Sequence, residues 1–156
     1  FELNKFSLQE RKGKIPSLEV SLDLTINKLG NKTGSFFFMK PYGLNNKAFI
    51  ISETKARNSD FYLGPNDYEK SEIDSITYQL PKNLVPDKLP EPAIVKTPFG
   101  EYISSVTFND GILLYYRKLI QYSGYFPAKD YDSFKAFCKA VNKNDNQQIA
   151  FKVISN

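Results

Sequence analysis

The chain of 156 residues has a hydrophobic content of 41%, an aromatic content of 15% and a formal net charge of +4. A chain of this length forms about one domain and buries roughly 70% of its unfolded surface, so its core needs no covalent support. It has no His and a single Cys. This composition excludes an internal disulfide, multi-cysteine or histidine metal sites, and nucleophiles that a His activates.

The charge pattern and the hydropathy argue against two classes of partner. Lys residues are dispersed along the chain, as on a solvated surface, rather than gathered into the basic patch of a nucleic-acid binder. No apolar run reaches the roughly 20 residues of a membrane span, and the first residues lack the basic-then-apolar order of a signal peptide. Because the chain starts with Phe rather than Met, we expect a processed chain or a piece of a larger protein.

The first forty residues predict three strands. Residues 5–11 form a short strand with Phe6 and Leu8 on one face, and residues 17–26 alternate strictly between apolar and polar side chains. That period of two is typical of a strand with one solvated face. Residues 27–34 have the composition of a loop. The apolar run at residues 35–40 predicts a buried strand, which Pro41 ends.

The middle of the chain alternates between predicted strands and loops. Residues 47–55 predict a strand, residues 57–68 a loop with a strong turn signal, and residues 71–80 another strand ended by Pro81.

The one dense acidic cluster of the sequence lies here and consists of Asp67, Glu69, Glu72 and Asp74. Two of these carboxylates could serve as acid and base, or several could bind calcium. Their spacing does not match a known calcium loop such as the EF-hand. We therefore interpret them as solvated side chains of a strand and a loop.

Five of the nine prolines fall between Pro81 and Pro98. Such density blocks both a helix and a central strand. The segment predicts an extended connection that crosses from one sheet to another, with residues 93–96 as a short edge strand. A domain boundary is the alternative, but apolar residues in the segment, among them Leu84 and Ile94, favour contact with a core over a free linker.

A β-hairpin follows, centred on Asp110 and Gly111, two residue types that tolerate positive φ. A two-residue type I′ turn there places Phe108 opposite Leu113 and Val106 opposite Tyr115. The outgoing strand carries apolar or aromatic residues on both faces, which predicts an interior strand that is covered on both sides.

The last part of the chain predicts one helix and a final strand. Gly124 breaks the preceding strand, Pro127 opens a helix at about residues 128–142, and residues 148–154 return as a strand. The helix places Tyr131, Phe134, Cys138 and Val141 on one apolar face.

These elements predict an all-β fold with one helix. We expect residues 1–156 to form a single antiparallel β-sandwich of two sheets with about eight or nine strands, and the helix to cover one end or edge.

The sequence offers few candidate site residues. Cys138 lies on the apolar helix face and is interpreted as a core residue rather than a nucleophile. No catalytic residue, metal ligand or cofactor site is predicted. Tyrosines could stack on a sugar or a peptide, and the candidates for such a ligand surface are Tyr42, Tyr62, Tyr102 and Tyr122. Half-buried strand aromatics are the preferred interpretation of all four.

A series of short motifs carries a family resemblance: Glu72-Ile73-Asp74 with Leu80-Pro81, Leu89-Pro90, Phe99-Gly100-Glu101-Tyr102, Tyr116-Arg117, Gly124-Tyr125-Phe126-Pro127, Tyr131 and Phe134. From about Arg57 to the end, the chain resembles the C-terminal domain of unknown function of bacterial multidomain proteins. Those proteins place an uncharacterised β domain before a transglutaminase-like core and end in this domain.

The resemblance implies a location in the periplasm or at the cell surface, and an adjacent transglutaminase-like domain of the same polypeptide as the partner. The Cys, His and Asp of that core are not matched here, so no catalytic residue is carried over. We therefore expect a non-catalytic accessory or scaffolding domain. The alternative is an independent β-sandwich module that binds a peptide or a glycan, and a carboxylate-dependent hydrolase ranks third.

Overall fold

A computed structural model describes residues 1–26, 28–43, 49–51, 57–65 and 70–154. Within these ranges the chain forms twelve strands and an α-helix that a short 3-10 turn at Ala128–Asp130 precedes. The strands are β1 (Glu2–Arg11), β2 (Ser17–Thr25), β3 (Gly30–Thr33), β4 (Phe36–Met39), β5 (Phe61–Leu63), β6 (Lys70–Gln79), β7 (Leu84–Lys88), β8 (Ala93–Thr97), β9 (Gly100–Asn109), β10 (Ile112–Gln121), β11 (Gly124–Phe126) and β12 (Ile149–Val153). The helix α1 spans Tyr131–Asp145.

Four strands form the main sheet, in the order β6-β10-β9-β8. The predicted hairpin between β9 and β10 is confirmed: Asp110 and Gly111 have φ angles of 50° and 77°, as a type I′ turn requires. The register pairs Phe108 with Leu113 and Val106 with Tyr115. Because the turn fixes this register, the inward side chains of β10 are set by sequence.

The second sheet has the order β3-β4-β12-β7. Its edge strand β7 contains Pro86, and the next strand, β8, is an edge of the main sheet. The proline-rich segment therefore crosses from the main sheet to the second sheet, as predicted, and then returns to the main sheet, which the sequence did not predict. Proline is tolerated there because an edge strand leaves one row of backbone groups unpaired.

Two apolar clusters fill the interior against the inner face of the main sheet. In the sheet core, side chains of the two four-stranded sheets pack together: Met39, Tyr42, Val106, Leu113, Tyr115, Ile149 and Phe151. In the helix core, α1 and β5 pack against the other half of the same face: Phe61, Leu63, Phe99, Tyr102, Leu119, Phe137, Cys138 and Val141. The predicted sandwich-like all-β fold with one helix over one end of a sheet is confirmed.

Two antiparallel ribbons complete the fold. The strands β5 and β11 form a two-stranded sheet, and β1 and β2 form the N-terminal hairpin. The two larger sheets hold eight strands and the ribbons add four, so the described residues form twelve strands in four sheets where eight or nine strands in two sheets were predicted. Within the described ranges, no helix is long and apolar enough to cross a membrane.

Three local predictions differ from the structure. The predicted loop at 27–34 contains β3, and the predicted loop at 57–68 contains β5. The strand β5 is held by β11, which lies far along the chain, and local composition does not reveal that partner. The strand β3 forms a hairpin with the next strand, β4, across Gly34 and Ser35. Of the strand predicted at 47–55, residues 49–51 are not in a strand and the others lie outside the described residues.

One face of the main sheet is open to solvent. The strand β10 is interior, between β6 and β9, as predicted, but the prediction that both of its faces are covered is wrong. Its outward residues Ile112 and Leu114 are exposed, whereas Leu113 and Tyr115 are buried. We call the outward side the open face. Its apolar side chains are Ile73, Ile94, Ile103, Ile112, Leu114, Tyr116 and Ile120.

Candidate functional site

A buried arginine occupies the boundary between the two cores. The inward positions of β10 are Leu113 and Tyr115 in the sheet core, Leu119 in the helix core, and Arg117 between them. The Arg117 side chain is only 1% exposed. A buried guanidinium is stable only when charged and polar partners replace its hydration shell.

Three carboxylates supply those partners. Arg117 Nη1 lies 3.1 Å from Glu72 Oε2 and 3.0 Å from Asp74 Oδ2, both on the neighbouring strand β6. Its Nε lies 2.9 Å from Asp145 Oδ1, at the end of α1. We call these four residues, with Tyr42 and Tyr102, the Arg117 cluster. The guanidinium carbon is 4.6 Å from the centre of the Tyr42 ring and 5.8 Å from that of Tyr102.

The position of Asp145 explains how the cluster joins the two cores. A carboxylate at a helix C-terminus is disfavoured by the helix dipole, but Asp145 Oδ1 accepts hydrogen bonds from both Arg117 Nε and the Tyr102 hydroxyl, at 2.9 and 2.7 Å. Burial alone lowers the pKa of Arg117. The hydrogen bond to Asp145 and the charge of Asp145 outweigh burial and raise that pKa above its ordinary value. Arg117 therefore stays protonated.

Two buried tyrosines are notable here: Tyr42, which belongs to the Arg117 cluster, and Tyr115, which is the preceding inward residue of β10. The hydroxyls of Tyr42 and Tyr115 make no hydrogen bond of good geometry within the described part of the chain, although the Tyr115 hydroxyl interacts with that of Tyr102. Burial raises the pKa of both groups above the ordinary value of 10.0. Burial also raises the pKa of Tyr102, to about 12. At neutral pH all three are neutral phenols, and none can act as a base.

The cluster links three elements of the fold. The three surface clefts with described linings are bounded by other residues, with Gln148 in two of them and the turn residue Gly111 in the third. Among the described residues, no group of three or more acidic or Cys side chains could hold a metal ion. The geometry is that of an internal clamp that binds β6, β10 and α1 together.

This arrangement corrects the interpretation of the acidic cluster. Glu72 and Asp74 are not simply solvated: both point toward the interior and pair with Arg117. Asp67 and Glu69 lie outside the described residues. Sequence reasoning missed Arg117 itself. The available signal was its position in the strand. Arg117 is separated from Leu113, Tyr115 and Leu119 by even numbers of residues, so its side chain lies on the same face as theirs.

The four candidate tyrosines do not form one surface. Tyr42 and Tyr102 are buried, so their assignment to a ligand surface is wrong. Tyr62 and Tyr122 are exposed, and ligand binding by these two stays a prediction. Tyr62 stacks on Tyr125 of β11, with ring centres 4.4 Å apart. The pairing of β5 with β11 creates this exposed aromatic pair, and the role of β5 was not foreseen.

The only Cys is a core residue, as interpreted. Cys138 is 1% exposed and belongs to the helix core. Burial raises the pKa of its thiol to about 12, so the thiolate that a nucleophile requires is scarce at neutral pH.

The open face presents aliphatic side chains to solvent. One row crosses all four strands, because Ile73, Lys118, Ile103 and Ile94 are aligned by the strand register. At the two edges of that row, Ile73 and Ile94 are 62% and 69% exposed. The row thus holds three isoleucines and Lys118, and exposed apolar side chains in a group on one face are typical of a contact site.

Comparison with models of protein families identifies the family of this chain. The model of a domain of unknown function with a solved structure, DUF3858, matches residues 34–151. The chain belongs to this family. The match begins earlier than the family resemblance seen in the sequence, which was faint before Arg57. The DUF3858 segment includes the open face and the Arg117 cluster, but not the N-terminal hairpin.

The DUF3858 fold also occurs in a solved structure. The chain resembles part of a protein from Parabacteroides distasonis ATCC 8503 that is described as a putative protease, with a TM-score of 0.57 and 14% sequence identity. The likeness covers 75% of this chain and 23% of that one, so this chain spans about a quarter of that protein's length. At this identity the likeness concerns the fold alone. No curated protein matches the chain.

Proposed function

We propose that this DUF3858 chain is a non-catalytic accessory or scaffolding domain that packs against a neighbouring domain through the open face. The observation that carries the proposal is the exposure of aliphatic side chains on the open face, where Ile73 and Ile94 at the two edges are mostly exposed and Ile112 and Leu114 are exposed between them. An antiparallel sheet normally presents polar residues to solvent on its outer face. Aliphatic residues in that position are better explained by contact with another apolar surface.

The residue chemistry supports a non-catalytic role. The sequence contains no His, and the one thiol is buried with a raised pKa. The carboxylates of Glu72 and Asp74 both pair with Arg117. General acid-base catalysis needs a group that is free to exchange a proton with a substrate, and these two carboxylates are held by the guanidinium.

The proposed neighbour is a transglutaminase-like core in the same polypeptide, exported to the periplasm or the cell surface. Support for this comes from the motif resemblance of the sequence, and from the small share, 23%, that the similar fold occupies in the Parabacteroides protein. That share is consistent with a domain that works as one part of a longer chain.

Lysine substitutions on the open face test the proposal. The double variant Ile73→Lys, Ile94→Lys replaces two exposed side chains, so the isolated 156-residue chain should change in stability by no more than about 0.5 kcal/mol per site. In the full-length gene product the same variant buries two charges at a domain contact and should lower the melting temperature measured by calorimetry. Val85→Lys, at an exposed residue of the second sheet, is the matched control.

Two results would overturn the proposal. One is an unchanged calorimetric profile of the full-length double variant. The other is turnover by the isolated chain of a peptide or amine-acceptor substrate, abolished by Glu72→Gln or Asp74→Asn in variants that remain folded.

A second candidate function rests on the exposed aromatic pair. Tyr62 and Tyr125 are 51% and 80% exposed and stacked, and tyrosine rings at a surface can bind a sugar ring or a peptide. A glycan and peptide array would then give saturable binding that Tyr125→Ala removes and Tyr116→Ala does not. Loss of binding in neither variant would contradict this candidate.

A further inference from the structure

The N-terminal hairpin is a strongly amphipathic ribbon with an uncovered face. Its register places Phe6 opposite Leu22 and Leu8 opposite Val20. The apolar face consists of seven side chains: Leu3, Phe6, Leu8, Leu18, Val20, Leu22 and Leu24. Six of these seven are exposed, and every residue of β1 is exposed. This face lacks the packing that an apolar β-ribbon normally gains from a second layer.

The opposite face of the hairpin is polar, and its side chains bond to one another across the two strands. Arg11 pairs with Glu19 at 2.6 Å, and the Asn4 side-chain amide donates to Asp23 and Thr25 at 3.2 and 2.9 Å. These cross-strand bonds form a polar face suited to water. The hairpin therefore has one side designed for solvent and one side suited to an apolar contact.

The charge of the hairpin limits what can cover it. Residues 1–26 contain four basic side chains, Lys5, Arg11, Lys12 and Lys14, and four acidic ones, Glu2, Glu10, Glu19 and Asp23. Their sum is zero, so the net charge of +4 lies in the rest of the chain. An anionic membrane or a nucleic acid would require an excess of basic residues. A neutral ribbon with an aliphatic face fits an apolar protein surface.

We infer that the N-terminal hairpin is an arm whose apolar face packs on an apolar β layer of a neighbouring domain in the same polypeptide. The inference rests on the proposed function in assuming a neighbouring domain, and adds a second contact to it. The family match starts at residue 34, so the hairpin lies outside the DUF3858 segment. A covalently joined domain meets the arm at a high effective concentration, which favours it over a second copy of the chain.

Thiol labelling of the full-length gene product tests the arm. Leu22→Cys reports the apolar face, and Ser21→Cys, its neighbour on the polar face, is the matched control. The native Cys138 is buried, and parallel labelling of the unsubstituted protein, read by peptide mass spectrometry, removes the background. We expect maleimide to label Leu22→Cys at least tenfold more slowly in the full-length protein than in the isolated chain, with no change at Ser21→Cys.

The outcomes separate the arm from the open face. Equal labelling of Leu22→Cys in the two proteins overturns the inference. The variant Ile94→Cys is labelled in the same experiment and reports independently on the proposed function. Slow labelling of Leu22→Cys in the isolated chain also overturns it. In that case, dependence on protein concentration identifies a second copy as the occupant, and independence identifies the chain's own surface.

Discussion

Arg117 Nε donates a hydrogen bond to Asp145 Oδ1 at 2.9 Å, which joins the central strand of the main sheet to the last residue of α1. The bond crosses the boundary between the sheet core and the helix core. Because the same guanidinium also binds Glu72 and Asp74, one side chain links three elements. The helix is thereby held at a fixed position over the sheet, with the open face on the opposite side.

Removing the Arg117 guanidinium should lower the free energy of unfolding by several kcal/mol. Arg117→Met leaves Asp145 buried without its cation, and loss of one partner of a buried ion pair costs about 3 to 5 kcal/mol. Urea unfolding should show this loss. Arg11→Met, which removes an exposed pair with Glu19, should cost less than about 1 kcal/mol. Equal losses in the two variants would contradict the clamp.

The buried phenols should respond differently to loss of their hydroxyls. Tyr102→Phe removes the bond to Asp145 and should destabilise the protein by about 1 to 3 kcal/mol, because a charged acceptor loses a donor. Tyr115→Phe removes a hydroxyl that makes no hydrogen bond of good geometry within the described residues and should be neutral or stabilising. A larger loss in Tyr115→Phe than in Tyr102→Phe, measured by urea unfolding, would refute this assignment.

Stability should fall in alkaline solution. Burial raises the pKa of Cys138 from 9.0 to about 12 and that of Tyr102 from 10.0 to about 12. As the pH rises, the unfolded chain releases these protons before the folded chain does. The stability that the two protonated groups give the folded state is therefore complete below pH 9 and is lost as the pH rises toward 12. Each group adds a slope of up to about 1.4 kcal/mol per pH unit. Urea midpoints between pH 8 and 11 measure it.

A variant isolates these two groups from Tyr42, Tyr78 and Tyr115, whose pKa burial also raises. The double variant Tyr102→Phe, Cys138→Ala is less stable at pH 8, but its stability should fall less steeply with pH than that of the unsubstituted chain. Identical slopes would show that neither group carries the effect.

The turn between β9 and β10 predicts a specific cost for one glycine. Gly111 has a φ of 77°, where an added Cβ is strained, so Gly111→Ala should destabilise the chain by about 1 kcal/mol or more. Gly13→Ala, in the turn of the N-terminal hairpin, where the nearest atom to an added Cβ is 3.8 Å away, should change stability by less than about 0.5 kcal/mol. Thermal unfolding compares the two, and a tolerated Gly111→Ala would contradict the type I′ assignment.

Local chemistry was enough to predict the elements with strong periodicity or a defining turn. The β9–β10 hairpin follows from Asp110 and Gly111, and the strand β2 follows from its alternation of apolar and polar residues. The helix α1 follows from the apolar spacing of Tyr131, Phe134, Cys138 and Val141. It extends three residues beyond the predicted end. The sheet crossing of the proline-rich segment follows from the exclusion of Pro from central strands.

The remaining features depend on partners that are distant in the sequence. The short strand β5 forms because β11 pairs with it. The strand β3 is the exception, because its partner β4 follows directly after the turn at Gly34 and Ser35. The Arg117 cluster requires Asp74 and Asp145 to meet across 71 residues. Coverage of a strand face is also a tertiary property, so the composition of β10 predicted two buried faces where the isolated chain has one. That difference is the physical basis for the proposed contact.

Hydroxyl-radical footprinting of Ile73 and Ile94 tests that contact most directly, because the rate of side-chain oxidation follows exposure to solvent. The isolated chain and the full-length gene product are compared at matched dose, with Val85 on the second sheet as the internal reference. Docking through the open face predicts that Ile73 and Ile94 are modified several-fold more slowly in the full-length protein, while Val85 is unchanged. Equal modification rates at Ile73 and Ile94 in the two proteins would contradict it.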